Sequence, residues 1–270
     1  MESKITPSSD GNISRRSANY KPSFWHFDFI QSLGSEYALE EYTRQVDDLK
    51  EETKAILEKV TGTLAQLELI DTLQRLGISY HFDDEIKSIM KAYTTIISLI
   101  VRGRRTIYML LVLNLDSYKN MGIAYQLKVF NSFKDEMENS EAHIIDDDQY
   151  YTMGILNLYE ATFHMVKGET ILEEARDLTT KYLKEYVKTK DENDVLSKLV
   201  NRALEFPLHW TAPIVEARWF IDPYERIKQD KNHILLKLSK LNFNMLQSTF
   251  REELKDLSSC LPNALKFFNT

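Results

Sequence analysis

An all-α fold is what this 270-residue sequence predicts, on three observations. Apolar residues recur in steps of three and four, which places them along one side of a helix. Eight glycines and six prolines make up about 5% of the chain, where ordinary proteins carry roughly 12%. No run shows the strict apolar–polar alternation of a half-buried strand. No proline occurs between Ser23 and Phe206. A proline lacks a backbone donor and clashes inside a helix, so that gap favours continuous helices joined by short loops, with antiparallel neighbours.

The elements follow in order. Residues 1–23 carry Ser, Asn, Pro and basic residues without an apolar period and read as an extended arm. Leu39, Tyr42, Val46, Leu49, Thr53, Ile56 and Val60 form the stripe of a first long helix. Leu64, Leu67, Ile70, Leu73 and Leu76 mark a second, which Gly77 ends in a left-handed cap followed by apolar Ile78. Asp83, Asp84 and Glu85 suit the positive end of the next helix dipole, and Ile86, Met90 and Tyr93 supply its buried face. Further helices are predicted at about Gly154–Val166, Ile171–Lys188, Asn193–Leu204, Ala212–Phe220 and Tyr224–Ser258.

Composition narrows the function. The formal charge of −7 argues against a nucleic-acid binder, which tracks phosphates with a basic stripe. A lone cysteine, Cys260, forms no internal disulfide and no thiolate metal cluster. The apolar runs Ile96–Val101 and Ile107–Leu113 are split by Arg102, Gly103, Arg104 and Arg105. Neither approaches the ~20 residues that span a bilayer, so a buried helix pair is expected and no membrane contact. Met1–Ser14 has no apolar core for a secretory signal and is too short and acidic for a transit peptide. An intracellular protein is expected.

Arg15 and Arg16 are followed by eight residues and then Trp25. This resembles the tandem-arginine, x8, tryptophan signature that opens plant terpene synthases of the monoterpene-producing branch. Leu76–Ile86, Val129–Glu136, Leu156–Thr162, Ala203–Asp222 and Leu236–Leu257 match successive helices of that family's N-terminal domain, in order. The resemblance implies an antiparallel helical, α/α-barrel-like domain over residues 24–258, preceded by the arm (1–23) and followed by a tail (259–270) foreign to the family. In the intact family a separate C-terminal domain binds Mg2+ (or Mn2+) through a DDxxD helix and a second metal motif. It ionises geranyl diphosphate and cyclises or eliminates the cation. The match ends near Ser258, so the expectation is a chain without that domain, binding no metal itself and inactive alone. Arg15, Arg16 and Trp25 would by resemblance form a lid over the active site. The fork-shaped guanidiniums grip phosphate oxygens or acidic partners, and Trp25 anchors the arm. An unstructured basic tail is the alternative for this arm. The resemblance implies a plastid location, or a cytoplasmic one if the short N-terminus is complete.

Two acidic stretches imitate metal motifs. Asp47-Asp48-Leu49-Lys50-Glu51 fits a relaxed DDxxE, and Asn193, Ser197 and Asn201 nearly reproduce the second motif. Magnesium with a diphosphate needs anionic oxygens on a face lining a cavity. Lys50 and Lys54 instead stand within pairing distance of the first set, and Asn201 is neutral where a carboxylate belongs, so salt-bridged surface is expected. Asp146-Asp147-Asp148 lacks the last carboxylate of the Asp-x-Asp-Asp acid and reads as a helix-start or loop cluster. No two of the six histidines stand three to five apart on a common helix, so zinc is poorly supported. His209 and Trp210 read as packing residues.

Between Thr94 and Lys128 the sequence departs from the family, and Thr211 and Ile214 replace basic residues. The 95–127 segment is therefore expected to leave the barrel loosely packed and to be cut first by a protease. A second reading is a non-catalytic helical module that pairs with a separate catalytic domain or an intact synthase. It would also self-associate, through the face exposed between domains.

Overall fold

The computed structural model describes residues 25–38, 40–97, 149–164, 170–191, 194–226 and 232–267. All regular structure among them is helical. In chain order the helices are α1 (Phe27–Ser32), α2 (Glu40–Lys59), α3 (Thr63–Arg75), α4 (Asp83–Ile97), α5 (Gln149–Ala161), α6 (Thr170–Thr189), α7 (Val195–Glu205), α8 (Pro213–Arg226) and α9 (His233–Phe267). Short 3-10 turns occur at Glu36–Ala38, Ser79–Phe82, Thr162–His164 and Leu208–Trp210. Apart from Thr95–Ile97, which end α4, the 95–127 segment lies outside the described residues, and so does Asp146–Asp148.

The chain divides into two compact units. One comprises the chain through Gly34 together with Phe250 onward, the other Ser35–Thr249. In the first, Gln31 of α1 donates to the Lys255 carbonyl (3.1 Å) and to the Ser258 and Ser259 hydroxyls (2.9 and 3.1 Å). Arg251 donates to the Gly34 carbonyl at 2.9 Å. Polar pins therefore dominate here, with Ile30 the buried apolar residue of α1.

Two large apolar cores fill the second unit, beside a smaller cluster of Leu67 and Ile70 of α3 with Met90 of α4. Ile155, Leu156 and Tyr159 of α5 meet Ala175, Tyr182 and Leu183 of α6 and Leu196, Val200 and Ala203 of α7. The other core joins Val46, Leu49 and Leu57 of α2, Leu73 of α3, Phe220 and Ile221 of α8, and Leu235, Leu236 and Leu238 of α9. Of the predicted α2 stripe Val46, Leu49 and Thr53 are buried, Tyr42 and Val60 are half-buried, and Leu39 lies outside the described residues. Leu57 is buried and Ile56 only partly so. At about 100° per residue Leu57 points within about 40° of Val46 and Thr53, whereas Ile56 lies at the edge of the stripe beside Leu49.

Gly77 is the left-handed residue the sequence predicts, at φ +68°. Its amide donates to the Gln74 carbonyl and the Ile78 amide to the Leu73 carbonyl, each at 3.0 Å, the double bond of a Schellman cap. Ile78 and Leu73 are fully buried in one core. The carbonyls that still lack partners are satisfied from α9. Ser239 donates to Leu76 at 2.7 Å and the Asn242 amide to Gly77 at 3.4 Å. The Asn242 carbonyl accepts from Tyr80 at 2.7 Å and faces His81 Nε2 at 3.0 Å. An amide carbonyl only accepts, so His81 carries a proton on Nε2.

Three helices differ in their limits from the sequence expectation. α8 runs beyond Phe220 through Pro223 to Arg226, because Pro223 and Tyr224 are buried and continuing the helix seats them. The long helix begins at His233 rather than Tyr224. Asn232 Oδ1 accepts from the Ile234 and Leu235 amides (2.9 and 3.4 Å) as an N-cap, and the Tyr224 hydroxyl accepts from the Asn232 amide at 2.9 Å. That helix also continues past Ser258, through Pro262, to Phe267. α5 already begins at Gln149 and ends at Ala161, with a 3-10 turn rather than α-helix at Thr162–His164.

A Cβ at position 77 would lie 2.7 Å from the Ala217 Cβ of α8. Gly77→Ala therefore combines a left-handed penalty of ~1–2 kcal/mol with overpacking of ~1–3 kcal/mol. Urea unfolding should show a lower midpoint at unchanged slope, and adding Ala217→Gly should recover the steric share only. Burial lowers the His81 pKa from its ordinary 6.5, Asn242 opposes, Lys50 adds to the lowering and Asp47 opposes. The unfolded chain then takes up a proton at a higher pH than the folded one. Stability should fall as pH drops from about 7 through 6.5 toward the folded pKa. His81→Gln should flatten that part of a melting-temperature profile, and an unchanged profile would refute the assignment.

Candidate functional site

Charge is concentrated inside the second unit. Arg75 closes α3 and is 5% exposed. Its Nε donates to both oxygens of Asp71 one turn earlier, at 2.9 and 3.1 Å. Its two terminal nitrogens reach Glu160 of α5, 1% exposed, at 3.2 and 2.5 Å. Burial works against the guanidinium's charge, but Asp71 and Glu160 outweigh it and drive the pKa of Arg75 up. A second pair crosses between the same two cores. Arg202 of α7 donates through Nε to Glu216 of α8 at 3.2 Å, and Glu216 is also buried. These two pairs connect the α5–α7 core to the core of α2, α3, α8 and α9.

A cavity of about 950 Å³ opens beside the second pair, walled by α7, α8 and α9. Its cations are Lys198, Arg202, Arg218 and Arg226, its carboxylates Glu205 and Asp222. Trp219, Ile214 and Phe243 give it an apolar wall. The Arg202 guanidinium lies 4.7 Å from the Phe206 ring centre and 5.3 Å from that of Trp219, a cation set over two aromatic rings.

The residues singled out in the sequence are placed as follows. Arg15 and Arg16 lie outside the described residues. Trp25 is 48% exposed, its ring 5.6 Å from that of Phe29. Asp47 pairs with Lys50 at 3.0 Å, while Lys54 is shared by Glu51 and Glu85 at 3.5 and 3.6 Å. This is the salt-bridged surface the sequence predicts for the DDxxE stretch. Asn193 lies outside the described residues. Asp194 caps α7 by accepting from the Ser197 amide at 2.8 Å, and the Ser197 side chain is buried. Carboxylates committed to lysines and to a helix end do not fit a cluster of divalent ions on a diphosphate. Among the described residues no three His, Cys, Asp or Glu side chains group as metal ligands. Trp210 departs from its packing role. It is 71% exposed, with an edge-on contact to Phe163 at 5.0 Å, because the Leu208–Trp210 turn carries it outward. Cys260 is exposed. No described helix is long and apolar enough to cross a membrane.

Glu160 and Glu216 were missed by the sequence reading. Each is a lone carboxylate within an apolar helical stretch, and such a group needs a buried cation. That signal was present.

The comparisons with known proteins agree with this helical architecture. Residues 24–204 match the model of the terpene synthase N-terminal domain, so the chain belongs to the terpene synthase family. It is 51% identical to a (+)-alpha-pinene synthase of Cannabis sativa over 258 residues, covering 94% of this chain and 45% of that protein. It is 46% identical to the chloroplastic myrcene synthase of Quercus ilex over 260 residues, covering 96% and 42%. The chain thus spans less than half the length of these curated relatives. Among solved structures, a limonene synthase crystallised with 2-fluorolinalyl diphosphate aligns at a TM-score of 0.78 and 34% identity. That alignment covers 91% of this chain and 45% of the other. The isoprene synthase of grey poplar aligns at 0.71 and 31%, covering 92% and 44%.

Glu160→Gln would leave Arg75 buried with half its compensation, a loss of about 3–5 kcal/mol for a broken internal pair. Chemical denaturation should show it, and Arg75→Met with Glu160→Leu should cost less than Arg75→Met alone. A loss under about 1 kcal/mol for Glu160→Gln would contradict the pairing.

Proposed function

We propose that this chain forms the N-terminal helical domain of a plastid monoterpene synthase whose substrate is geranyl diphosphate and whose metal is Mg2+ or Mn2+. The match over residues 24–204, continued by 51% identity along 94% of the chain to a pinene synthase, carries this reading. The chloroplastic name of the Quercus relative supports the compartment. Residues 1–23 serve as the arm, 24–258 as the helical domain and 259–270 as a segment outside the family pattern. Arg15, Arg16 and Trp25 act as part of a lid. Two guanidiniums hold diphosphate oxygens or acidic partners while the indole fixes the arm, its ring already set against Phe29.

Ionisation of the diphosphate is assigned to residues that this chain does not carry. When bound, the metal supplies charge for the departing diphosphate. No step is assigned to Asp47, Glu51 or Asp194, which are engaged elsewhere.

A second reading is supported by Phe250, Leu254 and Leu257, an exposed apolar row at helical spacing on α9. Such a row suits a module that pairs with a separate catalytic domain or with a second copy. Sedimentation velocity of the chain should then show association, and a clean monomer at all concentrations would count against the second copy.

Incubating the 270-residue chain with geranyl diphosphate and Mg2+ should yield no volatile terpene above a protein-free control in gas chromatography. Terpene formation would overturn the assignment of the chemistry to residues outside the chain.

A further inference from the structure

We propose that the cavity between α7, α8 and α9 is a metal-independent binding site for an amphipathic phosphate or diphosphate ester, with Arg202 as its anion fork. Four cations against two carboxylates give the lining a net positive charge within a chain of formal charge −7. Two of these cations are already committed. Arg202 is tied through Nε to Glu216, and Arg218 pairs with Asp222 at 3.2 Å. Lys198 and Arg226 have no ion-pair partner among the described residues.

Arg202 is the built part of the site. The buried carboxylate of Glu216 holds Nε, and the guanidinium carbon lies over the Phe206 and Trp219 rings. Its two terminal nitrogens have no acceptor among the described residues, and the side chain keeps 14% of its surface exposed. A guanidinium fixed in orientation with free paired donors is preorganised for a phosphate. Lys198, one turn earlier on α7, adds a point charge on the same helix face. The apolar wall of Ile214, Trp219 and Phe243 would be left against water by an inorganic anion, so it calls for a hydrocarbon body. The volume of about 950 Å³ lies at the upper end of the ~300–1,000 Å³ common for small-molecule sites. The choice of geranyl diphosphate as probe rests on the functional reading above, whereas the anion-plus-apolar chemistry does not.

The test is calorimetric titration of the whole chain in EDTA, so that turnover plays no part and failure here is separate from failure of that reading. Geranyl diphosphate should bind saturably at one site, and inorganic pyrophosphate at least tenfold more weakly. Lys198→Gln with Arg226→Gln removes two surface cations that have no ion-pair partner among the described residues, and should weaken binding at least tenfold without changing the melting temperature. Arg202→Lys keeps a cation against Glu216 but removes the fork, and should weaken binding similarly. Should that variant fail to fold, the surface pair decides alone. Absence of saturable binding, equal affinity for pyrophosphate, or unchanged affinity in the surface variant would overturn the proposal. So would tighter binding of an acidic helical peptide of equal charge.

Discussion

The rest of the second unit depends on the contact between Arg75 and Glu160. Apolar packing holds α5, α6 and α7 to one another and α2, α3, α8 and α9 to one another, with Leu199 of α7 touching both cores. Packing alone tolerates small rotations and shifts between such blocks. A bidentate guanidinium–carboxylate pair does not, because both groups are stripped of water and any slip leaves a bare charge in a poorly polarisable interior. Arg202 and Glu216 repeat the device between α7 and α8. Fixing two points on one boundary sets the rotation of α5 against α3 as well as the separation of the blocks. Glu216 then serves two ends, since the carboxylate that neutralises Arg202 also keeps its guanidinium against the Phe206 and Trp219 rings.

The cap at residues 73–78 shows a similar economy among neutral groups. A helix end leaves carbonyls without donors, and here they face α9 rather than solvent. Ser239 and Asn242 supply the missing donors, and Asn242 also receives Tyr80. A polar side chain in mid-helix is ordinarily neutral or unfavourable for the helix that carries it. On α9 these two are explained by the neighbour they serve.

Much of this was legible beforehand, and the exceptions have physical causes. Helices α2, α3, α6 and α7 were readable because each is amphipathic over several turns. The Gly77 cap was readable because a left-handed turn admits few residues. The boundary between α8 and α9 was not, because the charged residues from Arg226 to Lys231 continue a plausible polar face and hide Asn232, the one capping signal. The pairing of Asp47 and Glu51 with lysines was legible, since partners three and four residues away are fixed by helix geometry. Glu160 and Glu216 were harder. Their partners stand 85 and 14 residues away, and only the fold brings them together.

The contact between Gly77 and Ala217 has a consequence for how such chains diverge. Two sites 140 positions apart share one small allowance of space, so neither side can accept bulk unless the other gives it up, and residue 77 has nothing left to give. A chimaera that takes its first hundred residues from one relative and the rest from another inherits these two sites from different parents. Crossovers between them should succeed only where the second parent also carries a residue no larger than alanine at the position of Ala217.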